Sequence, residues 1–259
     1  MKRTFGAVLS IAVAAAVVCG ASGQEAAKSD AAKMGSEMMN PGSSIGCSER
    51  SGGGDFRVLV YGNSIAAHAR APKIGWEHDW GMAASAREKD FAHLVASGLE
   101  ERLGAKADLR VRNVATLERN FRTNLATVAE IAADVAFAPD YVVIAVGENV
   151  PNIDEAAKAD YTRFLAGLAK PFAGMAKRPR IVMRSPFWRN VTKAECTEKA
   201  AGEVGAVYVD AGDLGDSDEN KAKGLFAHQG VANHPGDLGM RRLADLILGA
   251  FDAGGKSSR

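Results

Sequence analysis

From residue 55 onward, short runs rich in Val and Ile alternate with longer segments in which apolar residues recur every three or four positions. Most of the short runs lack a clean polar alternation, which is typical of strands buried on both faces of a sheet. The longer segments have the spacing of helices with one apolar face. The predicted strands are residues 57–61, 109–114, 141–146, 180–184 and 207–210, and the predicted helices are residues 88–103, 119–136, 155–176, 192–204 and 237–251.

This alternation predicts an α/β fold, a three-layer α/β/α sandwich around a five-stranded, parallel, doubly wound sheet. Parallel strands all end at the same edge of such a sheet. Ligands bind outside these carboxyl ends, so the residues that directly follow the strands are the first candidates for function.

Residues 1–23 have the pattern of a secretory signal peptide. Lys2 and Arg3 precede a short, alanine-rich apolar run, and small residues follow it at the expected cleavage site. The run is too short to favour a membrane-spanning helix. Cys19 leaves lipid attachment open as a less favoured route, because a bulky residue precedes it. We therefore expect an exported protein, either periplasmic or secreted.

Residues 24–54 are rich in Ala, Ser, Gly, Lys and Met and show no apolar periodicity, which predicts a flexible leader. Residues 55–253 form the predicted folded domain, and residues 254–259 a disordered tail. The 32 basic and 31 acidic side chains of the whole chain are interspersed and give a net charge of +1. This balance gives no support for nucleic-acid binding.

The three cysteines and five histidines form no cluster with the spacing of a metal site, so no metal is expected. Removal of the signal peptide would leave Cys47 and Cys196. Export would permit a disulfide between them. A disulfide and a free, partly buried Cys196 thiol are left open as alternatives.

Ser64 follows Gly62 and Asn63 at the end of the first predicted strand of the domain. Glycine permits close backbone approach and asparagine tolerates unusual dihedral angles, so the serine hydroxyl is expected to project from a tight turn. A nucleophilic serine and a simple turn residue are both consistent with this segment.

His234 stands directly before Pro235, which suits the first turn of the last predicted helix. The histidine is thus placed on the loop that enters this helix. With an ordinary pKa near 6.5, its neutral imidazole can accept a proton from a serine at neutral pH.

Asn149 follows Gly147 and Glu148 after the third predicted strand. This position lies at the same sheet edge as Ser64. An amide N–H there can stabilise the negative charge that develops on oxygen during acyl transfer.

The three segments resemble the SGNH/GDSL family of serine hydrolases. The corresponding strings are Gly62-Asn63-Ser64, Gly147-Glu148-Asn149 and His234-Pro235, and the resemblance covers about residues 56–251. It implies a flavodoxin-like sheet, a Ser64–His234 catalytic pair and an oxyanion hole that includes the Ser64 N–H and the Asn149 amide. Residues 74–85 and 234–240 are similar to one bacterial branch of this family.

The sequence departs from the family pattern at two positions near the expected oxyanion hole. The family aspartate of Gly-Asp-Ser is replaced by Asn63, and the usual glycine after the second strand is absent from Asn113-Val114-Ala115-Thr116. The Ala115 backbone N–H is the expected substitute for the glycine, with a neighbouring N–H or a remodelled oxyanion hole as the alternatives.

A third departure concerns the histidine. The triad aspartate that the family places three residues before it is replaced by Val231. A triad aspartate orients the imidazole, so its absence normally lowers the rate strongly. A backbone carbonyl is one candidate for the orienting group, and the candidate side chains are those of Glu148, Asp237, His228 and Asp79.

Trp76, His78 and Trp80 follow the serine turn, where they would either line a carbohydrate cleft or pack onto the domain. Glu118 and Arg119 begin a predicted helix, for which capping and surface ion pairing are the simplest account.

Together these features predict an exported serine esterase of SGNH/GDSL type that uses no cofactor. Ser64 and His234 are its expected catalytic residues, and Ser64, Asn149 and Ala115 its expected oxyanion hole. The expected substrate is a small-molecule or carbohydrate ester, such as an O-acetyl or other small acyl group on a sugar. A catalytically decayed carbohydrate- or envelope-binding protein and an acyltransferase that acts on a sugar remain as alternatives.

Overall fold

The computed structural model describes the backbone of residues 46–50 and the fold of residues 53–254. The strands are β1 (Gly46–Arg50), β2 (Phe56–Gly62), β3 (Ala107–Asn113), β4 (Tyr141–Ala145), β5 (Arg180–Arg184) and β6 (Val207–Val209). The helices are α1 (Phe91–Leu103), α2 (Ala115–Arg119), α3 (Ala129–Ala136), α4 (Lys158–Ala173), α5 (Val191–Val204), α6 (Gln229–Ala232) and α7 (Asp237–Gly254). Short 3₁₀ turns lie between them.

The sheet has the strand order β1-β3-β2-β4-β5-β6, and every pair from β3 to β6 is parallel. These five strands have the order of a flavodoxin-like doubly wound sheet. The predicted fold class is therefore confirmed. A sixth strand is added at the edge, because β1 pairs with β3 in antiparallel register from Gly46↔Asn113 to Arg50↔Leu109.

Alternate residues of β2 enter separate cores on the two faces of the sheet. Val58 and Val60 pack into the core beneath α1 and α7, whereas Leu59 and Tyr61 pack into the core beneath α4 and α5. All four side chains are fully buried. This explains why the strand shows no polar alternation, since neither face meets water.

Gly98 favours close packing of α1 against α7. A Cβ atom at Gly98 would lie 2.5 Å from the Leu248 Cδ1 atom. The absence of a side chain at Gly98 lets the two helices lie close together. This contact helps to fix the position of α7, the helix that follows His234.

The predicted helix over 119–136 is wrong, because the segment is divided. The chain leaves α2 at Asn120 and re-enters a regular helix only at α3. The side chains of Asn120, Thr123 and Asn124 bond to nearby backbone groups in the intervening turns. Such local bonds compete with the helical ladder.

Cys196 is a buried free thiol in α5, which agrees with one of the two alternatives for this residue. The predicted signal peptide, with Cys19, lies outside the described residues, as does the tail beyond Gly254. Of the predicted leader, only β1 and the last two residues are described. Within the described part of the chain, no helix is both long enough and apolar enough to cross a membrane.

Candidate active site

A tight turn at the end of β2 presents Ser64. The side-chain oxygen of Asn63 accepts the Ile65 N–H at 3.1 Å, and the Asn63 carbonyl accepts the next two backbone N–H groups. A Cβ atom at Gly62 would lie 2.5 Å from the Ala66 Cβ atom, so the turn can close this tightly only with glycine. The result is a half-buried serine at the carboxyl edge of the sheet.

Ser64 and His234 meet, although 170 residues separate them. The Ser64 Oγ atom lies 2.8 Å from the Nε2 atom of His234. The histidine stands between the single turn of α6 and the start of α7, and Pro235 follows it directly. This is the nucleophile–base geometry that acyl transfer by a serine requires.

A backbone carbonyl orients the imidazole. The Nδ1 atom of His234 lies 2.7 Å from the Gly230 carbonyl oxygen in α6. A carbonyl oxygen only accepts hydrogen bonds, so Nδ1 must carry the proton and Nε2 is left as the acceptor for the Ser64 hydroxyl. The tautomer that a general base needs is therefore set without a carboxylate.

The four side chains considered as orienting groups all have other partners. Val231, at the usual aspartate position, is fully buried in an apolar cluster that also contains Trp76 and Met82. Asp237 accepts bonds from Ser85 and Lys89, Asp79 from Arg87, and Glu148 from Asn63 and Arg184, while the His228 ring caps α6.

The environment of His234 disfavours the charged imidazolium. Burial lowers the pKa of His234 to about 4, and the bond to the Gly230 carbonyl offsets this only in part. The half-buried Trp188 ring lies perpendicular to the imidazole, with ring centroids 5.5 Å apart. The imidazole is thus neutral at physiological pH, but it is a weak base.

Asn149 is held on the other side of the site by a buried carboxylate. Its Nδ2 atom donates to the Oε2 atom of Glu118 at 2.8 Å. Gly147, two residues earlier, has a φ of 129° that favours glycine, and a Cβ there would lie 2.8 Å from the Tyr161 hydroxyl. The amide nitrogen of Asn149 has a second hydrogen, which has no acceptor among the described residues and is available to a ligand.

Glu118 does not lie at the surface, and the expected capping and ion-pairing role is wrong. The side chain is fully buried beneath the turn after β4. It accepts hydrogen bonds from the Gly147 N–H and from Asn63 as well as from Asn149. Burial, and then the negative charge of Glu148, raise the pKa of Glu118 to about 7.

Glu148 is the second buried carboxylate. Its Oε1 atom accepts from the Arg184 guanidinium at 2.9 Å and from the Phe187 N–H at 2.8 Å. Burial alone would raise the pKa of Glu148, but the Arg184 charge and these hydrogen bonds hold it below its ordinary value. Glu148 therefore carries the negative charge of the pair more readily than Glu118.

Asn63 lies between the two carboxylates. Its Nδ2 atom donates to Glu118 Oε1 at 3.2 Å and to Glu148 Oε2 at 2.7 Å. An aspartate at this position, as in the family motif, would bring a third carboxylate into contact with the other two. The asparagine is thus explained by its neighbours, since only an amide can donate to both.

The Ala115 N–H, expected in the oxyanion hole, already donates to the Asn113 side-chain oxygen at 3.0 Å. It would have to share or break that bond to reach a ligand. The Ser64 N–H, in contrast, has no acceptor among the described residues.

The aromatic residues after the serine turn divide into two groups. Trp76 is fully buried and donates its ring N–H to the His68 carbonyl, so it packs into the domain and does not line a cleft. Trp80 is half-buried and stacks on the exposed His78 ring at 4.0 Å between centroids.

Comparison with known proteins finds fold-level similarity only. No family model and no curated protein sequence matches the chain. The fold is similar to a family two carbohydrate esterase from Cellvibrio japonicus (16% identity, TM-score 0.45), over 77% of this chain and 61% of that protein. It is also similar to an extracellular lipase from Streptomyces rimosus (13% identity, TM-score 0.43), over 76% of this chain and 99% of the lipase.

The chain thus spans less than two thirds of the esterase. Likeness at this level concerns the arrangement of strands and helices. The flavodoxin-like fold is confirmed by the strand order of the chain itself, and the chemistry has to be inferred from the residues of this site.

Proposed function

We propose that this protein is an exported serine esterase of SGNH/GDSL type, with Ser64 as nucleophile and His234 as general base. The observation that carries the proposal is the 2.8 Å contact between Ser64 Oγ and His234 Nε2, together with the Gly230 carbonyl that fixes the tautomer. This pairing also favours turnover over the alternative of a decayed binding protein.

In the acylation half-reaction, Ser64 Oγ attacks the ester carbonyl carbon while His234 Nε2 takes the hydroxyl proton. The carbonyl π electrons move onto oxygen and form the tetrahedral oxyanion. As that intermediate collapses, the bond to the alcohol oxygen breaks, and the imidazolium returns the proton to this oxygen. The products are a free alcohol and an acyl-serine.

Deacylation repeats the same proton path with water. His234 takes a proton from the water molecule as its oxygen attacks the acyl carbon. Collapse of the second tetrahedral intermediate breaks the bond to Ser64 Oγ, which recovers the proton from the imidazolium. The carboxylic acid leaves and the free enzyme is restored.

The proposed oxyanion hole consists of the Ser64 N–H and the second hydrogen of the Asn149 amide, with the Ala115 N–H as a possible third donor. Loss of one such donor in a serine hydrolase costs about 10²–10³ in kcat. The Asn149 amide is oriented before substrate arrives, since Glu118 already holds its nitrogen.

We propose a small acyl ester on a carbohydrate as the substrate class. The half-buried Trp188 ring, which packs against His234, offers an apolar face next to the reacting bond. Sugar rings can pack on such a surface, and a small acyl group suits a site that lies at the end of a buried strand.

The first experiment is hydrolysis of p-nitrophenyl acetate by the protein and by its Ser64→Ala and His234→Ala variants. Both variants should lose at least about 10³-fold in kcat, because the two residues act as one unit. The matched control is Ser97→Ala, which removes an exposed serine from α1. Hydrolysis that survives Ser64→Ala would overturn the proposal.

The substrate class is tested separately, by release of acetate from O-acetylated glycans. A fluorophosphonate probe should label Ser64 whatever the natural ester is. Labelling without release of acetate from any acetylated glycan would retain the serine mechanism and reject the carbohydrate assignment.

A further inference from the structure

We propose that Glu118 is a positioning residue of the reaction, which acts through Asn149 to hold the oxyanion-side amide in place. This inference rests on the proposed function. It gives the site a buried carboxylate on the side of the developing oxyanion, whereas the histidine has none.

Both oxygens of Glu118 are used. Oε2 accepts the Asn149 amide at 2.8 Å, and Oε1 accepts the Gly147 N–H and the Asn63 amide. One carboxylate thus links the serine turn to the turn that carries the oxyanion donor. No other side chain among the described residues contacts Asn63, Gly147 and Asn149 together.

An ionised carboxylate is the group that suits these three donors, because it accepts at both oxygens and donates at neither. A glutamine of the same shape would turn its NH₂ group toward at least one N–H donor. A protonated glutamic acid would likewise direct an O–H at the cluster. Oε1 accepts two of the donors and Oε2 only one, so the added hydrogen is best placed at Oε2, where it faces the Asn149 amide and removes the acceptor that orients it.

The opposite face of the same turn is also fixed. The Lys193 ammonium group donates to the Gly147 carbonyl at 2.9 Å and to the Val150 carbonyl at 2.6 Å. With the backbone held from α5, the remaining freedom of Asn149 lies mainly in its side chain. Glu118 restricts that freedom.

The groups that face Glu118 set its charge state. Glu148 approaches from the loop after β4 with its partner Arg184, and the Tyr161 hydroxyl approaches from α4. Burial and the charge of Glu148 raise the pKa of Glu118 to about 7. Glu118 is therefore ionised above this pH and protonated below it. On this basis kcat should fall as the pH drops through about 7, well above the range in which His234 becomes protonated.

A double-mutant cycle on kcat with Glu118→Gln and Asn149→Ala tests the proposal. Glu118→Gln alone should lower kcat by about tenfold or more with little change in KM, because it misplaces a donor used in the transition state. In the Asn149→Ala background the same substitution should change kcat less than twofold, because the amide through which Glu118 acts is absent. Equal losses in both backgrounds would overturn the proposal.

A pH profile gives a second test that needs no substitution at Glu118, in case that variant does not fold. The wild-type kcat should fall between pH 8 and 6, whereas the Asn149→Ala variant should be flat over this range. An identical decline in both proteins would contradict the role of Glu118.

The two proposals fail in different ways. Hydrolysis that survives Ser64→Ala removes the serine mechanism and the proposed function with it. Loss of hydrolysis in Ser64→Ala, combined with equal losses from Glu118→Gln in both backgrounds, removes only the positioning role.

Discussion

The two halves of the site are stabilised by opposite means. The histidine half is apolar and neutral: His234 packs against Trp188, and among the described residues the partner of its Nδ1 atom is the Gly230 carbonyl. The oxyanion half holds two buried carboxylates, Glu118 and Glu148. A buried negative charge therefore need not contact the base, and here it holds the amide proposed to meet the oxyanion.

The strongest test of the histidine half is Val231→Asp, which restores the aspartate of the family pattern. Because Val231 is fully buried in an apolar cluster, the new carboxylate should be uncompensated and lower the free energy of unfolding by at least about 3 kcal/mol. Chemical denaturation measures the loss, with Val231→Asn as the uncharged control of similar size. A rise in kcat over that control would show that a triad can form here and would break the comparison.

The corresponding test of the oxyanion half is Asn63→Asp. It replaces the donor shared by two carboxylates with a third carboxylate, which should destabilise the fold by about 2 kcal/mol and lower kcat at pH 8. Thermal unfolding and steady-state hydrolysis measure the two effects.

The control for this substitution is the double variant Asn63→Asp/Glu118→Gln, which returns the cluster to two carboxylates. Glu118→Gln should lower stability in the wild-type background and raise it in the Asn63→Asp background. If Glu118→Gln lowered stability in both backgrounds, charge repulsion would not explain why position 63 is an asparagine.

The pH dependence of stability contrasts the two halves directly. The folded-state pKa of His234 is lowered to about 4, so the unfolded chain binds more protons than the folded chain between about pH 6.5 and 4. Stability should therefore fall as the pH drops through this window, by about 2 kcal/mol from His234. The His234→Ala variant should lack that share of the loss. Identical curves of stability against pH for the variant and the wild type would contradict the burial of a neutral imidazole.

Glu118 should act with the opposite sign. Its folded-state pKa is raised to about 7, so the folded chain binds the proton more tightly than the unfolded chain. Stability should therefore decrease as the pH rises from about 4.5 to 7, and Glu118→Gln should remove this dependence. Unfolding curves at a series of pH values, compared with wild type, separate this contribution from that of His234.

The smallest expected effect is at the boundary of the histidine half. Trp188→Ala should raise KM for an acetylated glycan by about fivefold, which corresponds to roughly 1 kcal/mol of lost contact. It should change kcat/KM for p-nitrophenyl acetate less than twofold. Equal effects on both substrates would indicate that the tryptophan only positions His234.

The sequence predicts the strands well because their apolar runs reflect burial on both faces, as Val58 to Tyr61 show. It also predicts that Ser64, Asn149 and His234 lie at one sheet edge, since each stands directly after a strand or before the last helix. The meeting of Ser64 and His234 follows from that placement and from the family resemblance.

The sequence does not predict the partners of Glu118, because a glutamate near a helix start is usually at the surface. The signal that could have identified it is its position after β3, at the same edge as Glu148 and Asn63. Trp76 was ambiguous for a related reason, since an aromatic residue in a loop gives no sign of which way it faces. In both cases, long-range packing decides whether the side chain is buried, and the local sequence pattern does not indicate it.

The single turn of α6 makes the main chain a functional component of the site. Because the partner of His234 Nδ1 is the carbonyl of Gly230, no side-chain substitution deletes it, and an alanine scan would test the two proposed catalytic side chains but not this third group. The third becomes visible only when the peptide bond itself is changed. Replacement of the Gly230–Val231 amide by an ester would weaken the carbonyl as an acceptor while every side chain stayed the same.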